Sequence, residues 1–128
     1  MAERKNLGDG ELDIMLAVWA AKGPVNSAQL QSALKGRRDW QLPALLTALS
    51  RLVGKGFLSC ERRGKSNLYT ALVSKTDYQA QEGSSLLTRL YDGSLTALTA
   101  TLVGDGAVTE AELADLRRFL EEQEKRYE

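Results

Sequence analysis

The segment of residues 40–73 constrains the fold of this chain more than any other part of the sequence. Its first half carries leucine and valine at helical spacing, which predicts an amphipathic helix over residues 42–53. A Gly-Lys-Gly sequence ends this helix, and two short strands at residues 57–61 and 67–73 then flank a basic turn at residues 62–66. A helix followed by a hairpin with a basic tip predicts a winged helix.

The helix at the start of this segment has two faces of different character. The face that we expect to be buried carries Leu42, Leu45, Leu46, Leu49, Leu52 and Val53. The opposite face carries Ala44, Thr47, Ala48 and Arg51. Because these side chains are small or polar, we expect this second face to be free to contact another molecule.

Two further amphipathic patterns precede the segment. Residues 11–22 place apolar side chains at i, i+3, i+4 and i+7, with Asp9 as a cap and a Gly-Pro pair as the stop. After a short bridge strand, Asn26 and Gln29 have the form of a helix start, and Pro43 lies in the first turn of the third helix, where its missing N–H costs little. The second and third helices therefore form a helix-turn-helix, whose second member can present its outer face to the DNA major groove.

The distribution of charge favours nucleic-acid binding, although the total does not. The 17 basic and 17 acidic side chains cancel over the whole chain. Residues 1–75, however, hold 12 basic and 6 acidic side chains, whereas residues 76–128 hold 5 and 11, so the two parts carry formal charges of +6 and −6. An electrostatic binding surface is local, so this asymmetry is the informative quantity.

Ten residues of the winged helix are predicted to contact double-stranded DNA. They lie on the third helix, in the hairpin turn and at the start of the second helix: Gln41, Pro43, Ala44, Thr47, Ser50, Arg51, Arg62, Arg63, Lys65 and Ser27. The third helix offers apolar contacts to thymine methyl groups and one hydroxyl, and the hairpin cations fit the minor-groove edge or its phosphates. Arg51 either bonds a phosphate or pairs with a carboxylate of the first helix. The alternatives are a solvated helix face, a solubilising hairpin tip and a capping role for Ser27.

The remainder of the chain, residues 76–128, predicts three short amphipathic helices separated by Gly-containing breaks. Their apolar positions are Leu86, Leu90, Tyr91, Leu95, Leu98, Leu102, Leu113, Leu116 and Leu120. Helices of this length are marginal in water and need a partner surface. We expect a second copy of the chain to supply it, since two-fold symmetry is the commonest oligomeric arrangement. The alternative is packing onto the winged helix within a monomer.

Composition argues against several other classes of protein. The sequence has no histidine, which is the commonest general base, and no nucleophile or phosphate-loop motif, so we expect no enzyme activity. Without histidine, and with a lone cysteine, a transition-metal site would depend almost wholly on carboxylates, so we expect no zinc or copper site and no cofactor. No apolar run approaches the roughly 18 residues of a membrane span, and residues 1–10 lack a signal-peptide core, so we expect a cytoplasmic protein with no membrane partner.

Three single residues have mainly structural interpretations. Trp19 and Trp40 lie in apolar contexts and are expected in the core rather than as base-stacking platforms. Cys60 alternates with polar neighbours in a strand, which predicts a half-buried small side chain, with a redox-sensing thiol as the alternative.

Taken in order, these residues resemble the penicillinase-repressor family, the BlaI, MecI and CopY group of bacterial winged-helix repressors. The likeness covers nearly the whole chain. It rests on L-x-x-x-E-L-x-I-M-x-x-V-W at residues 7–19, Trp40, T-x-L-x-R-L-V-x-K-G at residues 47–56, Tyr69, L-x-x-L-Y-x-G-S at residues 87–94, and L-x-x-L at residues 113–116. The resemblance implies a winged helix at residues 7–75, a helical dimerisation region at residues 76–128, and a homodimer that represses transcription from a two-fold operator.

The chain also departs from the family pattern. It has Ala44 where a threonine is usual and Leu46 where a basic residue is common. Thr101 and Leu102 replace the Asn-Phe pair that is cut in the antibiotic-responsive members, and the Cys-x-Cys motifs of the copper-responsive members are missing. The inducing signal and any regulatory protease are therefore unassigned. A winged-helix module for protein–protein contact, without specific DNA binding, is the alternative function.

Overall fold

The computed structural model describes residues 6–127, and its elements follow the predicted order. The helices are α1 (Asp9–Ala21), α2 (Ser27–Ala33), α3 (Leu42–Gly54), α4 (Lys75–Tyr91), α5 (Leu95–Gly104) and α6 (Glu110–Lys125), and the strands are β1 (Leu58–Arg63) and β2 (Ser66–Ala71). The two strands form an antiparallel hairpin. The fold is mainly helical with one small hairpin, as predicted. The expectation about a signal peptide falls partly on residues 1–5, which lie outside the described residues.

Side-chain caps explain where several helices begin. Asn26 accepts a hydrogen bond from the Gln29 N–H, and the Gln29 side chain accepts one from the Asn26 N–H, both at 2.8 Å. This reciprocal capping box was predicted for α2. The cap of α1 is Gly8 rather than Asp9. The Glu11 carboxylate accepts the Gly8 N–H at 2.9 Å, and Asp9 lies in the first turn of the helix.

The chain divides by its contacts into two units, the first ending at Gln79 and the second beginning at Ala80, within α4. The first unit has a continuous hydrophobic core of residues from α1, α2, α3, the hairpin and the start of α4: Ile14, Met15, Val18, Val25, Leu30, Leu34, Leu45, Ala48, Leu49, Leu52, Phe57, Leu58, Tyr69, Val73 and Tyr78. Trp19 and Trp40 pack against this core, as predicted. The Trp19 indole N–H also donates to the Val73 carbonyl at 2.8 Å, which ties α1 to the chain after the hairpin.

The short strand predicted between α1 and α2 is present as a single bridge. Val25 pairs with Tyr69 of β2 through two backbone hydrogen bonds of 3.0 and 2.7 Å. This pairing attaches the hairpin to the segment that leads into α2. It therefore holds the hairpin beside the helix-turn-helix.

The buried face of α3 differs from the predicted one. Leu45, Ala48, Leu49 and Leu52 are buried, whereas Leu42, Leu46 and Val53 are 43%, 41% and 36% exposed. The prediction was wrong for these three exposed residues and for Ala48, because the buried stripe is rotated by about 50° around the helix from the centre of the apolar pattern. Ala48, which has a small side chain, therefore belongs to the buried stripe, and Leu42, Leu46 and Val53 form an apolar edge of α3 that faces solvent.

The strands of the hairpin pair closer to the turn than predicted, and the turn is shorter. Strand pairing continues to Arg63 opposite Ser66, so the turn consists of Gly64 and Lys65 alone rather than five residues. Gly64 has a φ of +62°, which suits glycine at the first position of a two-residue hairpin turn. Cys60 is exposed rather than half-buried, because only the first residue of β1, Leu58, lies deep in the core.

In the second unit, the α5 and α6 helices contain no buried residue. The α5 helix begins at Ser94, whose hydroxyl accepts the Ala97 N–H, and α6 begins at Thr109, whose hydroxyl accepts the Glu112 N–H. Large apolar side chains remain exposed on α4, α5 and α6, the three helices that we call the tail. Within residues 6–127, no helix combines the length and the apolar character needed to cross a bilayer.

Candidate nucleic-acid interface

The outer face of α3 brings together six of the predicted DNA-contacting residues. Pro43, Ala44, Thr47, Ser50 and Arg51 are all exposed on the helix, and Gln41 is its exposed N-cap residue. The Gln41 side chain makes no capping hydrogen bond. The Thr47 hydroxyl donates to the Pro43 carbonyl at 3.0 Å, which leaves the Thr47 methyl group and a hydroxyl lone pair available to a ligand.

The hairpin carries three cations, of which one is engaged in an ion pair and two are not. Arg63 pairs with Glu61 at 3.3 Å, and both side chains are about two-thirds exposed, so the pair adds little stability and partly neutralises Arg63. Arg62 and Lys65 are exposed and form no ion pair within residues 6–127. These two are therefore the principal free charges of the hairpin.

A groove of about 260 Å³ connects the hairpin turn with α2 and α3. Ser27, Leu46, Lys65 and Asn67 are among the residues that line it. Ser27 is not the cap of α2, because Asn26 has that role. Ser27 and Lys65, which are predicted contact residues of α2 and of the hairpin turn, thus lie beside Leu46 of α3.

Two carboxylates of α1 neutralise other cations of the helix-turn-helix. Asp13 accepts ion pairs from Arg37 at 3.2 Å and Arg38 at 3.0 Å, and Glu11 accepts one from Lys55 at 2.6 Å. Arg51 was predicted either to bind phosphate or to pair with an α1 carboxylate. Lys55 occupies Glu11 instead, and Arg51 has no ion pair within the described residues.

Both carboxyl groups have pKa values below their ordinary range. For Asp13 the hydrogen bond from Arg38 is the main cause, burial opposes it, and the charges of Arg37 and Arg38 lower the pKa further. For Glu11 burial is the largest influence and raises the pKa, but hydrogen bonds from Lys55 and the Gly8 N–H and the charges of Lys55 and Arg51 together outweigh it. These two carboxylates therefore stabilise the first unit in their ionised form.

Replacing Asp13 with asparagine is expected to make the unfolding free energy depend less on pH at acidic pH. A carboxyl with a lowered pKa in the folded state stabilises the protein above its unfolded-state pKa, and that stability is lost as the pH falls through the folded-state pKa. From about pH 5 downward, the unfolding free energy of the variant should thus decrease less steeply than that of the wild type. Urea unfolding followed by tryptophan fluorescence measures this, since Trp19 and Trp40 both belong to the first unit. Asp105 forms no ion pair in the described chain, so Asp105→Asn is the control. If the unfolding free energies of Asp13→Asn and of the wild type fall equally steeply with pH, the prediction is contradicted.

The predicted dimerisation residues lie on α4, α5 and α6, and none of them is buried. Leu86, Leu90, Leu95, Leu102 and Leu120 are exposed, with exposed fractions from 38% to 66%. Tyr91, Leu98, Leu113 and Leu116 are half-buried. The chain alone does not provide these side chains with a core.

Two features of this surface were missed from the sequence. The exposed leucines of α3 were assigned to the core, and the charge pattern alone did not predict that α1 carboxylates neutralise Arg37, Arg38 and Lys55. The presence of Ala48 between Leu45 and Leu52, at i+3 and i+7, was a signal for the rotated face. No sequence signal paired Asp13 with residues more than twenty positions away.

Comparison with known proteins gives a consistent result over nearly the whole chain. The family model for the penicillinase repressor matches residues 7–122. The penicillinase repressor of Bacillus licheniformis is 26% identical over 126 residues, which cover 98% of each chain. The methicillin resistance regulatory protein MecI of Mammaliicoccus sciuri is 23% identical over 114 residues, which cover 89% of this chain and 92% of that protein.

A solved structure resembles part of the chain. The solution structure of monomeric BlaI from Bacillus licheniformis, in complex with the blaP half-operator, matches with a TM-score of 0.51 and 27% identity. The match covers 61% of this chain and 94% of that one. The structural likeness is therefore to a winged-helix DNA-binding domain.

Proposed function

Since the chain belongs to the penicillinase repressor family and is a DNA-binding transcriptional repressor, we propose that it occupies a two-fold symmetric operator as a homodimer. In this proposal residues 7–75 form the DNA-binding domain and residues 76–128 the dimerisation region. Members of the family are transcriptional repressors and not enzymes. The protein would act by covering promoter DNA.

The arrangement of charges is the observation that carries the DNA-binding part of the proposal. Arg51 on α3 and Arg62 and Lys65 on the hairpin are exposed and unpaired in the described chain, while the neighbouring acidic groups of α1 are engaged by other cations. Arg51, Arg62 and Lys65 would contact phosphates, which fix the register of the protein on the duplex. Arg63, which is paired with Glu61, would lie beside them at the DNA and add little to the affinity. Gln41, Pro43, Ala44, Thr47 and Ser50 would face base edges, and Ser27 would meet the adjoining backbone.

The exposed apolar faces of the tail support the homodimer. Leu90 on α4 is 66% exposed and Leu95 on α5 is 55% exposed, and α5 is too short to be stable alone. The relative from Bacillus licheniformis was solved as a monomer on a half-operator, which supports an operator built of two halves. A homodimer with two-fold symmetry matches such a site.

Sedimentation equilibrium of the full chain tests the proposed homodimer. A dimer is expected, and a monomer at micromolar concentration would reject the proposal.

The proposal contains no regulatory protease. The peptide bond between Thr101 and Leu102 lies inside α5, and the Thr101 hydroxyl donates to the Ala97 carbonyl at 3.0 Å within the same helix. The residue types also differ from the cleaved pair of the antibiotic-responsive members.

Binding of the full chain to duplex DNA is expected to weaken steeply with salt. Three unpaired cations per subunit, Arg51, Arg62 and Lys65, give six phosphate contacts in a dimer, and each contributes a slope of about −0.9 to log K against log salt. The expected slope is thus about −5 for a dimer and about −3 for a monomer. Fluorescence anisotropy with a labelled duplex between 50 and 300 mM salt measures it, and affinity that is indifferent to salt would rule out phosphate-based binding.

A further inference from the structure

The exposed surface of α3 is apolar where a DNA-reading helix would be expected to carry donors. From residue 42 to residue 47, the exposed side chains are Leu42, Pro43, Ala44, Leu46 and Thr47. None is charged, and the only hydroxyl among them already donates to the Pro43 carbonyl. This part of the helix therefore has no free side-chain donor for the guanine O6 and N7 acceptors that arginine or lysine reads.

The same surface fits the one apolar group that the major groove displays. The thymine C5-methyl group distinguishes thymine from every other base, and alkyl side chains recognise it by contact. Leu46 is 41% exposed and Leu42 is 43% exposed, one turn apart on the same edge of α3. Thr47 lies further round the exposed face, about 100° from Leu46 on an ideal helix. Its hydroxyl donates to the Pro43 carbonyl, so its methyl group is left for a ligand.

Two neighbouring groups complete the fit to A·T pairs. The Gln41 side chain is exposed and unengaged at the start of α3, and a free amide can bond adenine N6 and N7 together. Lys65 lines the same groove as Leu46, so a phosphate-binding cation lies beside the leucine. This cation can hold the helix against the duplex while the apolar side chains meet the base edges.

We propose that this repressor selects its operator through thymine C5-methyl groups, which Leu46, Thr47 and Leu42 contact in the major groove, with Gln41 reading an adjacent adenine. The proposal rests on the proposed function, in which α3 enters the major groove. It assigns specificity to Leu42 and Leu46, which the sequence analysis placed on the buried face of the helix, in addition to the predicted contacts Gln41 and Thr47. The ligand chemistry is a run of A·T pairs with thymine methyl groups facing α3.

The test uses duplexes that the full chain selects from a random double-stranded library at 150 mM salt. Each thymine of the selected site is replaced in turn by deoxyuridine, which lacks the C5-methyl group but keeps the same pairing. Loss of one buried methyl group is expected to weaken binding about fourfold, and changes in both half-sites should multiply. Selected sites without conserved thymine, or equal affinity for thymine and deoxyuridine duplexes, would overturn the inference.

The Leu46→Ala variant shows whether the protein senses the methyl group directly. Leu46 is partly exposed and outside the core, so circular dichroism and thermal unfolding should match the wild type. At one thymine position in each half-site, the ratio of thymine to deoxyuridine affinities should fall from about fourfold towards one in this variant. Leu72→Ala, the same change at a leucine that is 58% exposed and lies outside the DNA-contacting residues, is the control and should keep the wild-type ratio. An unchanged ratio in Leu46→Ala would show that the methyl group acts through DNA shape and would refute the contact.

Failure of the inference differs from failure of the proposed function. A chain that binds a selected duplex tightly but ignores deoxyuridine substitution is still a DNA-binding repressor, with another basis of readout. A chain that enriches no sequence and shows no affinity for any duplex at 50 mM salt would refute both.

Discussion

Replacing Leu95 and Leu102 together with glutamate is expected to convert the protein into a monomer and to weaken binding to a two-fold operator by about 10²- to 10⁴-fold. Both side chains lie on one stripe of α5, at i and i+7, and are 55% and 38% exposed in the single chain. A charge placed in the centre of an apolar interface loses its hydration without gaining a partner. The loss of affinity follows because the second half-site is then bound from solution rather than at a high effective concentration.

This result can be separated from simple unfolding. Sedimentation equilibrium gives the mass, and tryptophan fluorescence reports whether the first unit, which contains Trp19 and Trp40, is intact. Affinity for a single half-site should be the same as that of the wild type. Thr96→Glu, an exposed α5 position off the apolar stripe, is the matched control and should remain dimeric. A double variant that stays dimeric would show that this face of α5 is not the interface.

Reversing the charges of Arg62 and Lys65 to glutamate is expected to lower affinity for every duplex by about 10³-fold at 0.1 M salt. Two cations per subunit are removed, so a dimer loses four phosphate contacts, and the salt slope should become shallower by about 4. The preference for the selected duplex over a scrambled one should be unchanged, because phosphate contacts carry no sequence information. Anisotropy titrations of both duplexes over a range of salt concentrations measure the two quantities.

A control with the same change of net charge shows whether position matters. Lys22 and Lys75 are exposed and lie outside the hairpin, so Lys22→Glu with Lys75→Glu alters the total charge equally. This variant should lose affinity far less and keep the wild-type salt slope. If the hairpin variant instead keeps its slope and loses its preference for the selected sequence, Arg62 and Lys65 read bases rather than phosphates.

The order of elements and the starts of α2 and α3 were predictable because their signals are local. The Asn26 and Gln29 capping box, Pro43 in the first turn of α3, and the basic hairpin each depend on residues a few positions apart. The length of the hairpin was less well predicted, because Arg62 and Ser66 resemble turn residues yet take part in strand pairing. A cluster of charges around a glycine does not reveal how many of its members the turn contains.

The rotation of α3 and the pairing of its neighbours depend on tertiary structure. Six apolar positions on α3 exceed what one side of a helix can bury, and the packing of Ala48 against the core decides which three remain exposed. Asp13 meets Arg37 and Arg38 only because α1 and the turn after α2 lie together. Both features change the chemistry of the candidate interface, and both depend on contacts between parts of the chain that are distant in sequence.

The carboxylates of α1 also have a consequence for how quickly the repressor finds its site. Asp13 and Glu11 engage three cations of the helix-turn-helix that would otherwise add to the attraction of any stretch of DNA. Non-specific affinity comes from such charges, and a genome offers about 10⁶ or more competing sites. Because these cations are already engaged, we expect lower non-specific affinity and faster dissociation from irrelevant sequences, which would leave a larger share of the molecules available to the operator.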